Sequence, residues 1–332
     1  MDTAGTLILK RSDVAALLTL DDCIAAVEQA FKLFGEGKCD PPGMLGIHGR
    51  DGSYHMKAGV LAPASREYFA VKANANFMQN RQRFGLPTIQ GIVALYDGEK
   101  GTPLAVLDSM EITILRTGAA TAVAAKFLAR ADSRTATICG CGNQGRIQLR
   151  ALARVRRIER AHAYDRDSAM AEKFSREMSA EMGIEVSPVA DLARAVRSSD
   201  IIVCCTPAKE YYLKKEMVGP GAFIAGVGAD NPDKHELDPA LFAGNKIVVD
   251  IFEQCASSGD LHHALAAGIV TRAAVYAELG EIVAGRKPGR TSPEEITIFD
   301  STGTALQDVA AAVAVYEKAV DSGAGLRVNL AG

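Results

Sequence analysis

The chain has 332 residues, and its 37 lysines and arginines nearly balance 40 aspartates and glutamates, giving a formal net charge of −3. This length is enough for two domains with a core each. No block of like charge stands out, which argues against binding along a nucleic acid backbone. No apolar run approaches the roughly 20 residues needed to span a bilayer, and the N-terminal stretch lacks the pattern of a signal peptide.

The seven cysteines show none of the CxxC spacings of a zinc or redox centre. Cys139 and Cys141 flank a single glycine. That spacing is too tight for ordinary metal ligation, so we interpret them as small buried thiols. Reduced cysteines without a targeting signal predict a cytoplasmic protein. We expect no metal site, and we place His262 and His263 in a loop or at a helix start.

The N-terminal third is predicted to be mostly β. It begins with an amphipathic helix, "TLDDCIAAVEQAFKLFGEGK", which Thr19 can cap and which Gly35 and Gly37 close. Strand patterns then follow from about Tyr54 to Asp108, in the stretches "YHMKAGVL", "EYFAVKANANF", "TIQGIVALYD" and "PLAVLD". The stretch "ITILRTGAATAVAAKFLAR" is predicted to be a helix that leads into the next part of the chain.

Strands and helices alternate over residues 135 to about 250. The strand candidates are "TATIC", "RAHAY", "IEVSP", "DIIVCC", "AFIAGV" and "KIVVD". This alternation predicts a parallel sheet covered on both faces. The basic stretch "RALARVRRIER" is interpreted as the solvated face of one of the helices, and "STGTALQDVAAAVAVYEKAV" as a last helix that packs back onto the N-terminal part.

We therefore predict an α/β protein with a Rossmann-type parallel sheet domain and a β-rich α+β domain. The Rossmann domain is expected over 117–301. The α+β domain is expected to be discontinuous and to combine 1–116 with 302–332.

A glycine-rich turn lies in "RTATICGCGNQGRIQLRAL", between a predicted strand and a predicted helix. Gly140, Gly142 and Gly145 fit G-x-G-x-x-G, in which the first glycine permits the turn, the second admits a pyrophosphate, and the third allows close helix–strand packing. Asp165 follows Gly145 by 20 positions. A carboxylate there suits a ribose diol and repels a 2′-phosphate, which favours NAD, although Arg166 leaves room for NADP. The alternative is a structural glycine turn with a solvated aspartate.

The predicted cofactor-binding residues are Gly140, Gly142, Asn143, Gln144, Gly145, Asp165, Arg166 and Thr206.

Basic and polar side chains recur at alternate positions in two of the predicted strands. His55 and Lys57 share one face of their strand, and Lys72 and Asn74 share one face of the next. Arg116 is expected near the start of the following helix. If these groups converge, they suit a small anionic substrate, because arginine can bind a carboxylate with two hydrogen bonds. Taken singly, each basic residue is as well explained by a surface salt bridge.

The chain resembles the ornithine cyclodeaminase and mu-crystallin family, which also contains alanine dehydrogenases and imino-acid or ketimine reductases. The resemblance is carried, in the family's order, by "KANANF", "GLPTIQG", "PLAVLDSMEITILRTGAATAVAAKFLAR", "GCGNQGRIQLRAL", "GVGADNPDKHELD" and "ITIFDSTGTALQDVAAA". It implies a homodimer in which a β-rich substrate and dimerisation domain accompanies a Rossmann domain. It also implies that cations hold the substrate α-carboxylate and that hydride is exchanged at the α-carbon.

Particular residues match the family's functional positions. Lys72, Thr88 and Arg116 match substrate-binding residues, and Asp230 matches the aspartate that handles the amino-group proton. One position departs from the family, which often has a cation just after the proline pair where this chain has Gly43. We expect Lys57 to replace that cation.

Asp230 also stands out by its position beyond the predicted strand "AFIAGV", at the edge where open α/β sheets bind ligands. A carboxyl group there can exchange a proton with an imine or amine nitrogen. The alternative is an aspartate that caps the turn "ADNPD".

Three functions remain open. The first is NAD(H)-dependent reduction of a small 2-imino acid to an L-amino acid, with iminosuccinate to aspartate as the most specific hypothesis. The second is a redox-neutral ornithine or lysine cyclodeaminase, which needs an acidic contact for a distal amine, and the strand region offers mainly basic groups. The third is a non-catalytic dinucleotide-binding protein of the mu-crystallin type. The presence of Lys72, Arg116 and Asp230 argues against this third function.

Overall fold

The computed structural model describes residues 5–330, and the chain divides into two compact units. Unit 1 combines residues 1–116 with 304–332, and unit 2 comprises residues 117–303. Within residues 5–330, no helix is long and apolar enough to cross a membrane.

Unit 1 is built on a seven-stranded sheet with the order β15-β1-β6-β5-β4-β3-β2. All neighbouring strands are antiparallel except β1 and β6, which run parallel. The strands are β1 (Thr6–Leu9), β2 (Gly43–His48), β3 (Ser53–Leu61), β4 (Tyr68–Asn76), β5 (Ile89–Asp97), β6 (Pro103–Asp108) and β15 (Leu326–Val328).

Two of the helices of unit 1, the first and the last, pack against this sheet. Thr19 caps α2, as predicted, by accepting a hydrogen bond from the backbone N–H of Asp22. The last helix, α11, packs on β3, β4 and α2. Helix α4 contains the boundary between the two units. The helices are α1 (Arg11–Leu17), α2 (Leu20–Gly35), α3 (Asn80–Phe84), α4 (Ser109–Leu128) and α11 (Ala305–Ser322).

Unit 2 is built on an eight-stranded sheet with the order β13-β12-β14-β11-β10-β7-β8-β9, and all its strand pairs are parallel. Every residue of β7, β10, β11 and β14 is buried, which requires cover on both faces of the sheet. The strands are β7 (Thr135–Cys139), β8 (Arg160–Tyr164), β9 (Glu185–Pro188), β10 (Ile201–Cys204), β11 (Phe223–Gly226), β12 (Lys246–Val249), β13 (Val275–Glu278) and β14 (Thr297–Asp300).

Helices occupy most of the connections between these strands. They are α5 (Asn143–Val155), α6 (Ser168–Met182), α7 (Leu192–Arg197), α8 (Phe252–Ser258), α9 (Asp260–Ala266) and α10 (Leu279–Val283). The predicted fold class, a Rossmann-type parallel sheet beside a β-rich α+β part, is confirmed.

One basic residue of "RALARVRRIER" is not on a solvated face. Arg156 donates hydrogen bonds to the carbonyl oxygens of Ala125, Lys126, Ala129 and Arg130, at the end of α4, over distances of 2.8–3.0 Å. The last carbonyls of a helix have no partner within the helix, and a guanidinium has enough donors to satisfy several of them. The interpretation of this stretch as a wholly solvated face was therefore wrong at Arg156.

Candidate functional site

The glycine turn follows β7 directly and opens α5. Gly140 has a φ of 104°, in the left-handed region, and a Cβ there would lie 2.9 Å from the carbonyl oxygen of Cys205. At Gly145 a Cβ would lie 2.1 Å from the carbonyl oxygen of Gly140. Both positions therefore require glycine, one for the turn and one for the close approach of helix and strand.

Gly142 differs from these two glycines, because a Cβ added there meets nothing within 4 Å. It is the N-cap residue of α5 and supplies no side-chain cap, and the first turn of the helix contains no acidic residue. Open space in front of uncapped N–H groups at a helix N-terminus fits a pyrophosphate. Asn143 is exposed and Gln144 half-buried in this first turn.

Asp165 lies just after β8, beside the glycine turn. Its Oδ2 accepts a hydrogen bond from the backbone N–H of Cys141 at 2.8 Å, and its Oδ1 accepts one from Asp167 N–H at 3.0 Å. The carboxylate is therefore held against the turn, where it suits a ribose diol. Arg166, the next residue, is exposed.

Thr206 follows β10 and contacts the glycine turn. A Cβ at Gly140 would lie 3.0 Å from its Cγ2. Its backbone N–H and its Oγ1 both donate to Oε1 of Glu236, at 2.6 and 2.7 Å. Glu236 was not predicted from the sequence, although this residue lies in the stretch "GADNPDKHELD" that follows β11.

Asp230 lies in the loop after β11, at the carboxyl end of that strand, as expected. Its side chain is 49% exposed, and its Oδ1 pairs with Nζ of Lys234 at 2.6 Å. The turn itself is supported by Asn231, whose Oδ1 accepts a hydrogen bond from the backbone N–H of Asp233 at 3.0 Å. Asp230 thus presents a partly solvated carboxylate with a cation beside it.

In unit 1, a cationic cluster forms where β3 and β4 pair. Lys57 lies directly opposite Lys72, and His55 lies directly opposite Asn74. The predicted shared face is therefore correct, because directly paired residues of antiparallel strands project on the same side. Lys57 and Lys72 are only 8% and 3% exposed.

Arg116 and Asp308 complete this cluster, which we define as Lys57, Lys72, Arg116 and Asp308. Nζ of Lys72 lies 2.7 Å from Oδ2 of Asp308, and Nε of Arg116 donates to Oδ1 of Asp308 at 3.1 Å. Arg116 also donates from its terminal Nη1 to Oε1 of Gln307 at 3.0 Å. It is 7% exposed and sits in the interior of α4, not at the start of a helix.

The cluster contains three basic side chains and one carboxylate, so it carries an excess of two positive charges when all four groups are ionised. Burial lowers the pKa of Lys72 to about 7, an effect that Asp308 partly opposes. Burial alone would raise the pKa of Asp308, but the charges of Lys72 and Arg116 hold it below its usual value. A buried excess of positive charge is costly in the absence of an anion.

The remaining predicted substrate residues differ in position. His55 lies beside the cluster on β3, and its Nε2 is 3.0 Å from Oγ of Ser53. Thr88 precedes β5, five residues before Val93, the β5 partner of Lys72. At the rise of an extended strand this separation is about 17 Å, so the structure does not bring Thr88 into the cluster.

Lys57 does not lie at the position where the family often has a cation and this chain has Gly43. Gly43 pairs with Ala58, whereas Lys57 pairs with Met44. The alternation of a strand therefore places position 43 and Lys57 on opposite faces of the sheet. Lys57 belongs to the cluster through its own strand position, and its replacement of the missing cation stays a prediction.

Within residues 5–330 no group of three or more His, Cys, Asp or Glu side chains could hold a metal ion. His262 and His263 lie in α9, near its start. Their Nδ1 and Nε2 atoms contact the carbonyl oxygens of Ala256 and Lys234, at 3.0 and 2.8 Å. Cys141 is a buried free thiol, and burial raises its pKa to about 12.

An all-parallel sheet with a G-x-G-x-x-G turn between its strand β7 and helix α5 defines the class of dinucleotide-binding α/β proteins. A model of the "Ornithine cyclodeaminase/mu-crystallin family" matches residues 4–323, and the chain therefore belongs to that family, as the resemblance predicted.

Individual members of the family are similar over their whole length. The chain is 39% identical to an alanine dehydrogenase of Archaeoglobus fulgidus, over 98% of both chains. A solved archaeal alanine dehydrogenase dimer with bound NAD has a TM-score of 0.93 at 39% identity, covering 98% of this chain and 99% of that one. The iminosuccinate reductase of Paracoccus denitrificans, solved with NAD⁺, has a TM-score of 0.90 at 34% identity, covering 98% of this chain and 99% of that one.

Proposed function

We propose that this protein is an NAD(H)-dependent oxidoreductase that reduces a small anionic 2-imino acid to an L-amino acid. The observation that carries the proposal is the buried cationic cluster of unit 1, where Lys72 and Arg116 share the carboxylate of Asp308 and Lys57 adds its positive charge. A buried group of basic side chains suits a bound anion, and arginine and lysine bind a substrate carboxylate with charged hydrogen bonds.

The composition of the cluster favours a substrate with two carboxylates. Its basic side chains, Lys57, Lys72 and Arg116, outnumber the carboxylate of Asp308, and iminosuccinate carries two carboxylates. We therefore propose iminosuccinate, reduced to aspartate, as the specific substrate. The relative solved with NAD⁺ and named iminosuccinate reductase supports this choice. The alanine dehydrogenase relative supports a substrate with one carboxylate, so the size of the anion is the point to test.

The glycine turn fits NAD as the cofactor, because Gly142 leaves open space at the N-terminus of α5 while Gly145 lets that helix pack closely. Asp165 disfavours a 2′-phosphate. We assign cofactor binding to Gly140, Gly142, Asn143, Gln144, Gly145, Asp165, Arg166 and Thr206. When bound, the nicotinamide supplies the hydride that adds to the substrate's imine carbon.

The chain's own contribution to the reaction is binding and proton transfer. We assign the substrate carboxylate to Lys57, Lys72 and Arg116, with His55 as a further substrate contact. Asp230 is assigned the transfer of a proton to the substrate nitrogen, because its carboxyl group lies at the ligand-binding edge of the sheet and is partly solvated. Lys72 is the second candidate, since its pKa of about 7 lets it exchange a proton at neutral pH.

The test is a panel of 2-oxo acids supplied with ammonia, including oxaloacetate and pyruvate, together with preformed cyclic imines, followed by NADH absorbance. We expect oxaloacetate with ammonia to give the highest kcat/KM, and NADH to be used better than NADPH. Highest activity on pyruvate or on a cyclic imine would contradict the iminosuccinate assignment. Preference for NADPH would contradict the role of Asp165.

A parallel assay measures ammonia release from ornithine and lysine without net NADH change. Release there would replace the reductase with a cyclodeaminase. We expect none, because Asp308, the carboxylate of the cluster, already pairs with Lys72 and Arg116 and so is not available to a distal amine. Binding of NADH without turnover of any compound would indicate a non-catalytic protein.

We also propose a homodimer formed through unit 1. All six residues of β2 are exposed, and Leu45 and Ile47 are 55% and 47% exposed. An exposed apolar strand at the edge of a sheet is a site for association. The dimeric archaeal relative supports the proposal. Light scattering should give a dimer for the native chain and a monomer for Leu45→Lys; a monomeric native chain would contradict it.

A further inference from the structure

Glu236 is a fully buried carboxylate of unit 2 that accepts four hydrogen bonds. Its Oε1 accepts from the backbone N–H of Thr206 at 2.6 Å, from Thr206 Oγ1 at 2.7 Å and from the Tyr212 hydroxyl at 2.8 Å. Its Oε2 accepts from the backbone N–H of Gly228 at 2.8 Å. One side chain therefore joins the segments that follow two neighbouring strands, β10 and β11.

The base of this side chain is fixed as well. The backbone N–H of Glu236 donates to Oδ1 of the buried Asp260 at 2.7 Å, and its carbonyl oxygen accepts from the N–H groups of Tyr212 and Leu213, each at 3.1 Å. The backbone and the carboxylate of Glu236 are thus both fixed by hydrogen bonds. The carboxylate in turn fixes the groups that donate to it, because hydrogen bonds to a charged acceptor are short and strong.

Both joined segments belong to the proposed cofactor and proton-transfer site. Thr206 packs against Gly140 of the glycine turn, and Gly228 lies two residues before Asp230. The contact at Gly228 is also sterically close. A Cβ there would lie 2.3 Å from Oε2 of Glu236 and 2.4 Å from the carbonyl oxygen of Thr206. The backbone that leads to Asp230 is thus packed directly on the carboxylate.

We propose that Glu236 is the positioning residue of the Asp230 loop, holding Gly228 and Thr206 together so that the Asp230 carboxyl group is set in one orientation. Glu236 touches neither the substrate nor the cofactor in this scheme and acts through the two loops. The inference rests on the proposed function for the identity of Asp230 as the proton-transfer group.

Glu236→Gln tests the hydrogen bond between the Glu236 carboxylate and the backbone N–H of Gly228. The amide can keep its oxygen toward Thr206 and Tyr212, but its NH₂ group then faces the Gly228 N–H, donor against donor. The hydrogen bond that is lost is the one that leads to Asp230. Glu278→Gln is the matched control, because the Glu278 carboxylate likewise accepts a backbone N–H in unit 2, that of Phe252 at 2.8 Å.

In Glu236→Gln we expect kcat to fall roughly 10- to 100-fold while the NADH Kd changes less than about twofold, as for a misplaced catalytic group. In the protein without added ligand, hydrogen exchange of the amides in residues 227–231 should be faster than in the native chain. Glu278→Gln should leave kcat, the NADH Kd and this exchange unchanged, even if it lowers the melting temperature as much as Glu236→Gln does.

A lower melting temperature in Glu236→Gln with native kcat and native exchange would overturn the proposal and leave Glu236 a structural residue. Weaker NADH binding with native kcat would also overturn it. If Glu236→Gln fails to fold, Gly228→Ala perturbs the same contact from the other side and should give the same loss of kcat and faster exchange. Should the native chain reduce no imino acid, the proposed function fails, and the exchange comparison still decides whether Glu236 holds the loop.

Discussion

A substitution at Asp230 can distinguish a role in proton transfer from a structural role in the turn. Asparagine resembles aspartate in size but exchanges no proton at neutral pH. If Asp230 transfers the proton, Asp230→Asn should fold, bind NADH and lose roughly 10²- to 10⁴-fold in rate. Steady-state rates and NADH fluorescence titration measure the two properties.

Asp233→Asn is the matched control, because Asp233 lies in the same loop and its side chain is 77% exposed. We expect near-native rates for it. Near-native turnover by Asp230→Asn itself would remove the proposed role and move the search to Lys72 or His55.

The cationic cluster makes a second prediction at single residues. Lys72→Ala and Arg116→Ala should impair substrate use and leave NADH binding nearly unchanged. Loss of a charged hydrogen bond costs roughly 1.5–3 kcal/mol, and more where the partner stays buried, as Asp308 would. Arg11→Ala, which removes an exposed pair with Glu111, is the control for a surface arginine. Equal loss of NADH affinity would show that the cluster serves the fold instead.

Lys72 also predicts a pH dependence. Burial lowers its pKa to about 7, so the residue is charged below that pH and loses its charge as the pH rises through it. The kcat/KM for an anionic substrate should therefore fall above about pH 7. In Lys72→Arg the side chain stays charged, and this decline should move to higher pH. A decline that keeps its position in an active Lys72→Arg enzyme would assign it to another group.

At the scale of elements, Arg156 predicts how α4 is held at its end. Arg156→Ala removes donors from four carbonyl groups, of Ala125, Lys126, Ala129 and Arg130. At roughly 0.5–1 kcal/mol for each of these part-buried or exposed hydrogen bonds, the free energy of unfolding should drop by roughly 2–4 kcal/mol. Urea unfolding measures it. Arg157→Ala, next in the chain and 79% exposed, should change stability by less than about 0.5 kcal/mol; similar losses in both variants would contradict the cap.

The sequence predicts ten of the fifteen strands found within residues 5–330. The four strand patterns between Tyr54 and Asp108 and the six between 135 and 250 all correspond to strands, because alternation and β-branched runs are local signals. The strands β1, β2, β13, β14 and β15 were missed, although β9 to β12 are as short as β13 and β14. The places of β1, β14 and β15 in their sheets are decided by partners that are distant in sequence.

In the candidate site, too, residues in local patterns were predicted and residues that depend on distant contacts were not. The glycine turn and the Lys57–Lys72 face were predictable, since each depends on spacing within one or two strands. Asp308 and Glu236 were not, because their roles depend on which segments fold against them. A signal for Asp308 did exist: it is the one charged residue of the mostly apolar run "ALQDVAAAVAV", where a buried charge requires a partner.

For the molecule as a whole, buried carboxylates in unit 2 predict how stability depends on pH. Burial raises the pKa of Asp300 to about 7, and the nearby Asp250 adds to this. Below that pH the folded chain holds a proton that the unfolded chain has released above about pH 4. Stability from this group is therefore full at low pH and is lost as the pH rises toward 7.

Asp300→Asn does not titrate and provides the comparison. The melting temperature of the native chain, relative to Asp300→Asn, should fall between about pH 4 and pH 7. The variant itself should be less stable, because the Asp300 oxygens accept backbone N–H groups of Asp260 and Leu261 that an amide cannot both satisfy. Parallel curves for the two proteins would mean that Asp300 stays ionised in the folded state.

The position of β14 has a consequence for the order of folding. This strand comes last in unit 2, yet it pairs with β11 on one side and β12 on the other, so β12 and β13 join the sheet only through it. Unit 1 likewise lacks α11 until residues 305–322 are made. During synthesis both cores therefore stay open until residues 297–322 have left the ribosome. These pairings are distant in sequence, which makes folding slow and keeps strand edges exposed to aggregation during that time.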